Sequence, residues 1–439
     1  MNEQGGAFPK LTIHDVDVED KLVLVRADYN VPIKGGKIQN DYRITQSLPT
    51  LRSLLARGAR VIVCSHLGRP DGRPNEEYSL FPVAKRLDDL LDGTKVSFVP
   101  EAIGPEADAA VAKLSRGDLL LLENVRFYPG EEANDKAFAH QLAHGADIFV
   151  QDGFGVVHRA HASTEAVAQV IPVAVAGELL EREVATISKV MKAPERPLMA
   201  IVGGAKISDK IEVLERFIDL ADVVVIGGAM ANTFLAAEGH DVAKSLVTKD
   251  DAPLARRILA KAREVAKQRP FVFFLPQDGV VANKVDRAAT TRIVDWGSHT
   301  ISSIENYPKR PPRSASVMHK DEMILDIGPF SAAFVAGTAQ LSKTVIWNGP
   351  MGVTDVAGLQ GPVGPFAHGT EVLVQAMLGE FGNKPFTVVG GGDTVAYVEE
   401  QGLGQAFGHV STGGGASLEL MAGRILPGVA ALTNREGVQ

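Results

Sequence analysis

Short apolar runs alternate with amphipathic stretches through the opening half of the chain. Lys21-Leu-Val-Leu-Val25, Arg60-Val-Ile-Val-Cys64, Asp118-Leu-Leu-Leu-Leu122 and Asp147-Ile-Phe-Val150 are brief and almost uniformly apolar, which predicts buried strands. Between them, residues 45–57 and 135–144 carry apolar side chains at helical spacing. Strand, helix, strand at this interval predicts a parallel sheet wrapped by helices, with ligands bound beyond the carboxyl ends of the strands. Leu180, Val184, Ile187 and Met191 mark a linker helix over residues 177–192, stopped by Pro194 and Pro197.

A second series opens with Leu198-Met-Ala-Ile-Val202, another buried strand, broken by Gly203-Gly204. From Ala205 the apolar spacing predicts a helix, with Ile207, Ile211 and Leu214 in step and Lys206 and Lys210 on one face of its first turns. Two ammonium groups at a helix N-terminus oppose its dipole, at a cost of about a few tenths of a kcal/mol each. A glycine turn, bare N–H groups and two lysines suit an anion such as phosphate. Similar turns follow later apolar stretches at Gly227-Gly228, at Gly390-Gly391-Gly392-Asp393-Thr394 and at Gly413-Gly414-Gly415, where glycine lets backbone N–H groups approach phosphate. No G-x-x-x-x-G-K-[ST] occurs. Gly402-Leu-Gly404-Gln-Ala-Phe-Gly408 follows no strand and lacks the dinucleotide spacing. The stretch Tyr307-Pro-Lys-Arg-Pro-Pro-Arg313 predicts an exposed loop.

With 439 residues the chain exceeds what one core usually serves, so two domains are expected. A hydrophobic share of 45% with 22% charged residues is that of an ordinary globular protein. The net charge of −8 argues against nucleic acid or anionic membrane as partner. Cys64, the one cysteine, lies within an apolar run and is expected to be a buried thiol. Neither a signal pattern nor a run near ~18 apolar residues is present, and a cytoplasmic location is expected.

Against that acidic background, the basic residues after the opening strands need a reason. The first strand leads into Arg26-Ala-Asp28-Tyr-Asn30 and then Arg43, the second into Ser65-His66-Leu-Gly-Arg69. Glu123-Asn124-Val-Arg126 follows the third, and Gln151-Asp152 through His158-Arg159-Ala-His161 the fourth. Guanidinium forks at one rim of a sheet would bind a small molecule bearing phosphate and carboxylate.

Taken in order, these motifs resemble the phosphoglycerate kinase family over nearly the whole chain. The second half adds Gly203-Gly-Ala-Lys206-Ile-Ser-Asp-Lys210, Trp347-Asn348-Gly-Pro-Met-Gly352, Gly390-Gly-Gly-Asp393-Thr394 and Ser411-Thr-Gly-Gly-Gly415. The resemblance implies two similar α/β domains, each a doubly wound parallel sheet, joined by a linker helix, with the C-terminal tail returning to the first. Residues 1–180 and 424–439 would bind 3-phosphoglycerate through Asp28, Asn30, Arg43, His66, Arg69, Arg126 and Arg159. Residues 181–423 would bind ATP or ADP with Mg2+, through Gly204, Lys206, Lys210, Gly228, Asn348, Asp355, Gly391, Gly392, Asp393 and Thr394. Gly413 and Gly414 would form a further phosphate turn, and Asp393 would hold the metal. Where the family usually has Phe-Glu this chain has Thr354-Asp355, and Val156-Val157 stands for the usual Thr-Ala; residues 286–320 fit the pattern poorly.

The implied reaction is reversible phosphoryl transfer between ATP and the carboxylate of 3-phosphoglycerate, giving 1,3-bisphosphoglycerate and ADP, in a monomeric glycolytic enzyme. Such transfer passes through a loose transition state that needs positioning and fixed positive charge, expected here from Arg43 and Lys206. The acceptor carboxylate is already ionised, so no general base is needed. Domain closure is expected to exclude water, with the linker helix and residues 152–157 as hinge. The alternatives are a non-enzymatic nucleotide-binding protein that kept the fold and a nicotinamide oxidoreductase; the missing G-x-G-x-x-G speaks against the latter.

Overall fold

The computed structural model of the protein describes residues 8–297, 300–303, 317–359 and 363–435. Its contacts gather into two units: residues through Lys189 together with those from Gly415 on, and Val190–Gly414.

In the first unit, β1 (Leu22–Arg26) is followed by a small hairpin of β2 (Ile33–Lys34) and β3 (Lys37–Ile38). Then come β4 (Arg60–Cys64), β5 (Val96–Val99), β6 (Leu119–Leu122), β7 (Ile148–Gln151) and β8 (Val173–Ala176). All but the hairpin form one parallel sheet, ordered β5-β6-β4-β1-β7-β8. Every residue of β1, β6 and β7 is buried, as a sheet covered on both faces requires. Leu48, Leu51 and Leu54 of the helix Tyr42–Ala56 pack with Val83 and Leu87 of the helix Phe81–Leu90 onto Val23, Val25, Val61 and Val63. A side chain so enclosed contributes about 2 kcal/mol relative to its exposed state. Cys64 is part of this interior, and burial pushes its thiol up to about 12.

Strands β6 and β7 start one residue later than the apolar pattern suggests, leaving Asp118 and Asp147 outside them. Asp147 Oδ2 accepts the Leu22 N–H at 2.9 Å. The linker helix spans Glu178–Lys192. Asp152, fully buried, accepts the N–H groups of Leu179 and Leu180 on Oδ1 at 3.0 and 3.3 Å, tying the turn after β7 to the start of that helix. A Cβ on Gly177 would lie 2.1 Å from that oxygen, so only glycine fits beside it.

The C-terminal segment does return to the first unit. Gly428 N–H donates to Val157 O and Thr433 N–H to Ala174 O, both at 2.9 Å. Lys10 Nζ donates to the carbonyls of Ala430 and Leu432, both at 2.8 Å.

In the second unit come β9 (Leu198–Val202), β10 (Val223–Ile226), β11 (Val272–Phe274), β12 (Asp278–Ala282) and β13 (Arg292–Asp295). They are followed by β14 (Ile301–Ser302), β15 (Met323–Ile327), β16 (Thr344–Asn348), β17 (Phe386–Gly390) and β18 (His409–Val410). The main sheet runs β14-β11-β10-β9-β16-β17-β18, parallel except for β14. A second, antiparallel sheet sets β12 between β13 and β15. The stretch 286–320, unassignable from its pattern, thus supplies β13 and β14; the Tyr307–Arg313 loop expectation lies outside the described residues.

One expectation is overturned. No helix begins at Ala205: Gly204 to Ile207 is a turn, a single 3-10 turn covers Ser208–Lys210, and the helix starts only at Ile211. Asp251 holds this segment, its Oδ2 accepting the N–H groups of Ile207 and Ser208 at 2.8 and 3.1 Å. Two N–H groups ahead of the helix are thus satisfied by a carboxylate from a distant segment. Lys206 and Lys210 therefore do not share a helix face.

Candidate functional site

In the first unit β6, β4, β1 and β7 are neighbours, so the segments that leave their carboxyl ends emerge side by side. They bring the basic residues together. Arg43 Nη1 lies 3.1 Å from Asp28 Oδ2 and donates to Asn30 O at 3.1 Å. Asn30 Oδ1 accepts the Gly68 N–H at 2.9 Å, and Arg126 Nη1 donates to Gly68 O at 2.7 Å. His66 is buried with Nδ1 3.3 Å from Arg26 Nη2. Burial, then the charges of Arg26, Arg126, Arg43 and Arg159, push its pKa well below the usual histidine value, so the ring is neutral. Arg159 Nε donates to His158 Nε2 at 3.3 Å. Arg69 is exposed on the same loop as His66, with no hydrogen bond or ion pair among the described residues.

Arg126 is a cation under strain of solvation. It is 4% exposed, burial lowers its pKa to about 10, and Glu132 lies 3.3 Å from Nε. Its Nη2 is buried with no hydrogen-bond partner. A buried donor left unpaired costs about 1–3 kcal/mol, more when charged, and an anionic oxygen would satisfy it. His161 beside it is pushed down to about 4, chiefly by burial and then by Arg126 and Arg159. Nearly every group here repels a proton and attracts an anion.

In the second unit the equivalent edge is made of glycine. Strand β9 lies between β10 and β16, the point where the chain's winding reverses and where sheets of this kind bind ligands. Backbones meet there closely: a Cβ on Gly349 (φ +102°) would lie 2.4 Å from Gly203 C, and one on Gly228 would lie 2.7 Å from Gly204 N. Lys210 Nζ enters this junction, donating to Gly203 O at 2.7 Å and Asn348 Oδ1 at 2.6 Å. An ammonium only donates, which fixes the Asn348 amide with Nδ2 pointing away, buried and without a partner. Burial lowers Lys210 to about 8 against the opposing pull of Asp393 and Asp209.

A Cβ on Gly391 (φ +93°) would lie 3.3 Å from the Asn348 amide, and Gly391 is the N-cap of the helix Gly392–Glu400. Asp393 is exposed in the first turn of that helix, and Thr394 is buried, its Oγ1 accepting the Gly349 N–H at 2.7 Å. Lys206 is exposed on the turn after Gly204 with no ion pair among the described residues. Gly413 N–H donates to Ser411 Oγ at 3.1 Å, and Gly414 (φ +47°) follows it. Asp355 is exposed beyond Val353.

Gly204 and Gly228 open onto a cavity of about 300 Å3. Its wall is largely apolar, with Leu235, Trp296, Leu325, Met351 and Val353, and two buried acids, Asp278 and Asp326, at its edge. Neither acid is free. Asp278 holds the start of the helix Pro329–Leu341 through the Phe330 and Ser331 N–H groups at 2.9 and 2.8 Å. Asp326 accepts from Ile327 and Gly369 N–H at 2.8 Å each, and burial raises its pKa to about 8. Most of the apolar wall escapes motif reading because it comes from the helix Gly228–Ala237, the residue after β13 and β15, separated in sequence and individually ordinary.

A family model described as phosphoglycerate kinase matches residues 13–424. A phosphoglycerate kinase of Moorella thermoacetica is 46% identical over 426 residues, covering 97% of this chain and 100% of its own length. One of Chloroflexus aurantiacus is 47% identical over 429 residues, with 97% and 100% covered. Among solved structures, phosphoglycerate kinase from Coxiella burnetii superposes with a TM-score of 0.77 at 35% identity, covering 96% of this chain and 98% of that one. That from Pyrococcus horikoshii OT3 gives 0.78 at 28% identity, with the same coverage.

Proposed function

The chain belongs to the phosphoglycerate kinase family, and we propose that it divides the work of that family's reaction between its two units. The reaction is reversible phosphoryl transfer between ATP and the carboxylate of 3-phosphoglycerate. The first unit is the 3-phosphoglycerate domain, with Asp28, Asn30, Arg43, His66, Arg69, Arg126 and Arg159 as its contacts. The observation that carries this is the buried, unpaired Nη2 of Arg126 among guanidiniums converging from neighbouring strand ends. Phosphate and carboxylate oxygens are the acceptors such a group lacks.

The second unit is the nucleotide domain. Its apolar cavity beside Gly204 and Gly228 suits the base, as pockets for flat ligands are mostly apolar with few polar groups. Gly391, Gly392 and Thr394, with Lys210 and Asn348, sit where phosphates would meet N–H donors at a helix start. Gly413 and Gly414 form a further phosphate turn, and Asp355 is assigned to the ribose. Among the described residues no group of three or more His, Cys, Asp or Glu could hold a metal by itself. Asp393, exposed in the first turn of the helix that opens at Gly392, fits Mg2+, which takes few protein ligands and completes its shell with phosphate oxygens and water. Bound with the nucleotide, Mg2+ supplies neutralisation of phosphate charge.

Transfer to a carboxylate leaves the protein little covalent work. Arg43, half-buried and anchored by Asp28, presents fixed positive charge toward the acceptor. Lys206, on its exposed turn, does so for the migrating phosphoryl group. Small molecules are thus the partners; we assign a monomer in the cytoplasm, and no described helix is long and apolar enough to cross a membrane. A coupled assay with 3-phosphoglycerate, ATP and Mg2+, run on wild type and Arg126→Ala, tests the site. The assignment predicts a KM for 3-phosphoglycerate raised at least tenfold. An unchanged KM rejects it.

A further inference from the structure

Beneath the arginines of the first unit runs a chain of hydrogen bonds that has only one workable direction. Glu131 is fully buried, and Ser163 gives its carboxylate two bonds, N–H to Oε2 at 2.9 Å and Oγ–H to Oε1 at 2.6 Å. Its hydroxyl proton spent, Ser163 Oγ receives Arg26 Nε–H at 2.7 Å. The opposite polarity fails: were Glu131 to donate to Oγ, the serine proton would face a guanidinium that accepts nothing. Arg26 is itself 1% exposed, and a cation so buried requires a nearby counter-charge, which Glu131 provides through the hydroxyl.

The other edge of the same guanidinium faces His66, Nη2 to Nδ1 at 3.3 Å. Since Arg26 can only donate, Nδ1 carries the lone pair, and the proton of the neutral ring sits on Nε2. Asp28 does not compete for a proton on Nδ1, because its Oδ1 is 3.9 Å away, beyond hydrogen-bond range. Nε2 has no protein partner among the described residues.

We propose that Glu131, acting through Ser163 and Arg26, is a positioning residue that holds His66 as the neutral Nε2–H tautomer, a donor reserved for an anionic oxygen of bound phosphoglycerate. The proposal rests on His66 belonging to the 3-phosphoglycerate site. It gives the cluster a donor that adds no further cation to the surrounding guanidiniums, where another full charge would be expelled.

The test uses the full chain labelled with 15N-histidine, ligand-free at neutral pH. Nitrogen–proton correlation spectra report the tautomer of each ring, and His66→Gln identifies the signal. Wild type should show His66 in the Nε2–H form alone. Ser163→Ala should shift it to a mixture or to Nδ1–H and raise the KM for 3-phosphoglycerate about tenfold, leaving kcat and the KM for ATP within about twofold. Ser163→Thr should restore both. If Ser163→Ala does not fold, Glu131→Gln carries the same test, because an amide accepts only one of the two bonds from Ser163. A wild-type ring protonated on Nδ1, or a variant that keeps the Nε2–H form, overturns the relay. Because the spectrum is read without substrate, a tautomer that shifts while the KM stays fixed upholds the relay and rejects the placement of His66 against phosphoglycerate.

Discussion

The ammonium group of Lys210 and the side-chain oxygen of Asn348 are 2.6 Å apart at the place where the second sheet reverses its winding. Lys210 is engaged by protein carbonyl oxygens, and burial lowers its pKa to about 8. Nucleotide phosphates would favour the charged form, so affinity for ATP should fall as pH rises through about 8, and binding near that pH should take up a proton. Calorimetry in buffers of different ionisation enthalpy reads that uptake directly. Stability should move the other way. The folded pKa is below the lysine value of 10.5, so the unfolded chain holds more protons between about 8 and 10.5 and the Lys210 contribution to stability rises across that window.

Lys206 differs from Lys210 in being exposed and without an ion pair among the described residues. Lys206→Ala should cost almost no stability and lower kcat by about a hundredfold or more, the scale of losing one transition-state donor. The coupled assay together with a thermal melt checks both halves; near-normal turnover would remove Lys206 from the catalytic assignment.

Arg69 and Arg159 test whether each unit carries one cargo. Arg69→Ala or Arg159→Ala should weaken 3-phosphoglycerate binding by about tenfold or more while leaving nucleotide binding within about twofold. Separate titrations with each ligand settle it. Equal losses for both would contradict one cargo per unit.

Asp152 carries a pH signature of its own. Burial raises its pKa to about 7, above the ordinary aspartate value of 3.8, so the folded protein holds more protons between those limits. Its contribution to stability is therefore present below about 4 and declines as pH rises to about 7. Asp152→Asn keeps an acceptor for the Leu179 and Leu180 N–H groups but cannot ionise. Wild type should lose stability relative to this variant between pH 5 and about 7.5, as followed by urea unfolding. A difference that stays constant with pH would show that Asp152 titrates as an ordinary carboxyl.

Apolar periodicity carried the parallel strands and the helices over them, because β1, β4, β6 and β7 are buried on both faces and the sequence there is almost unbroken Leu, Val and Ile. It did not mark β5 or β8, where Val96-Ser-Phe-Val and a Pro-flanked Val-Ala-Val-Ala give weaker signals at the sheet edges. The segment expected as helix from Ala205 is held instead by Asp251, a contact from far along the chain that no local pattern contains. Glu131 was hidden likewise. In Pro129-Gly-Glu131-Glu132 nothing local tells the two acids apart, yet one is fully buried and the other 55% exposed at its side chain. The basic residues at the strand ends were legible because charge on an acidic protein, repeated at one structural position, stands out before any coordinates are known.

The fold's first unit is completed by chain that lies on the far side of the second in sequence order. Leu426 and Leu432, each 3% exposed, and the Gly428 and Thr433 amide bonds all belong to that last segment. During synthesis, the nascent first unit must therefore wait with part of its surface uncovered until the segment from Gly415 on has been made. Vectorial, domain-by-domain maturation cannot finish it early, and a message cut short after the second unit would yield one sealed body attached to one left open.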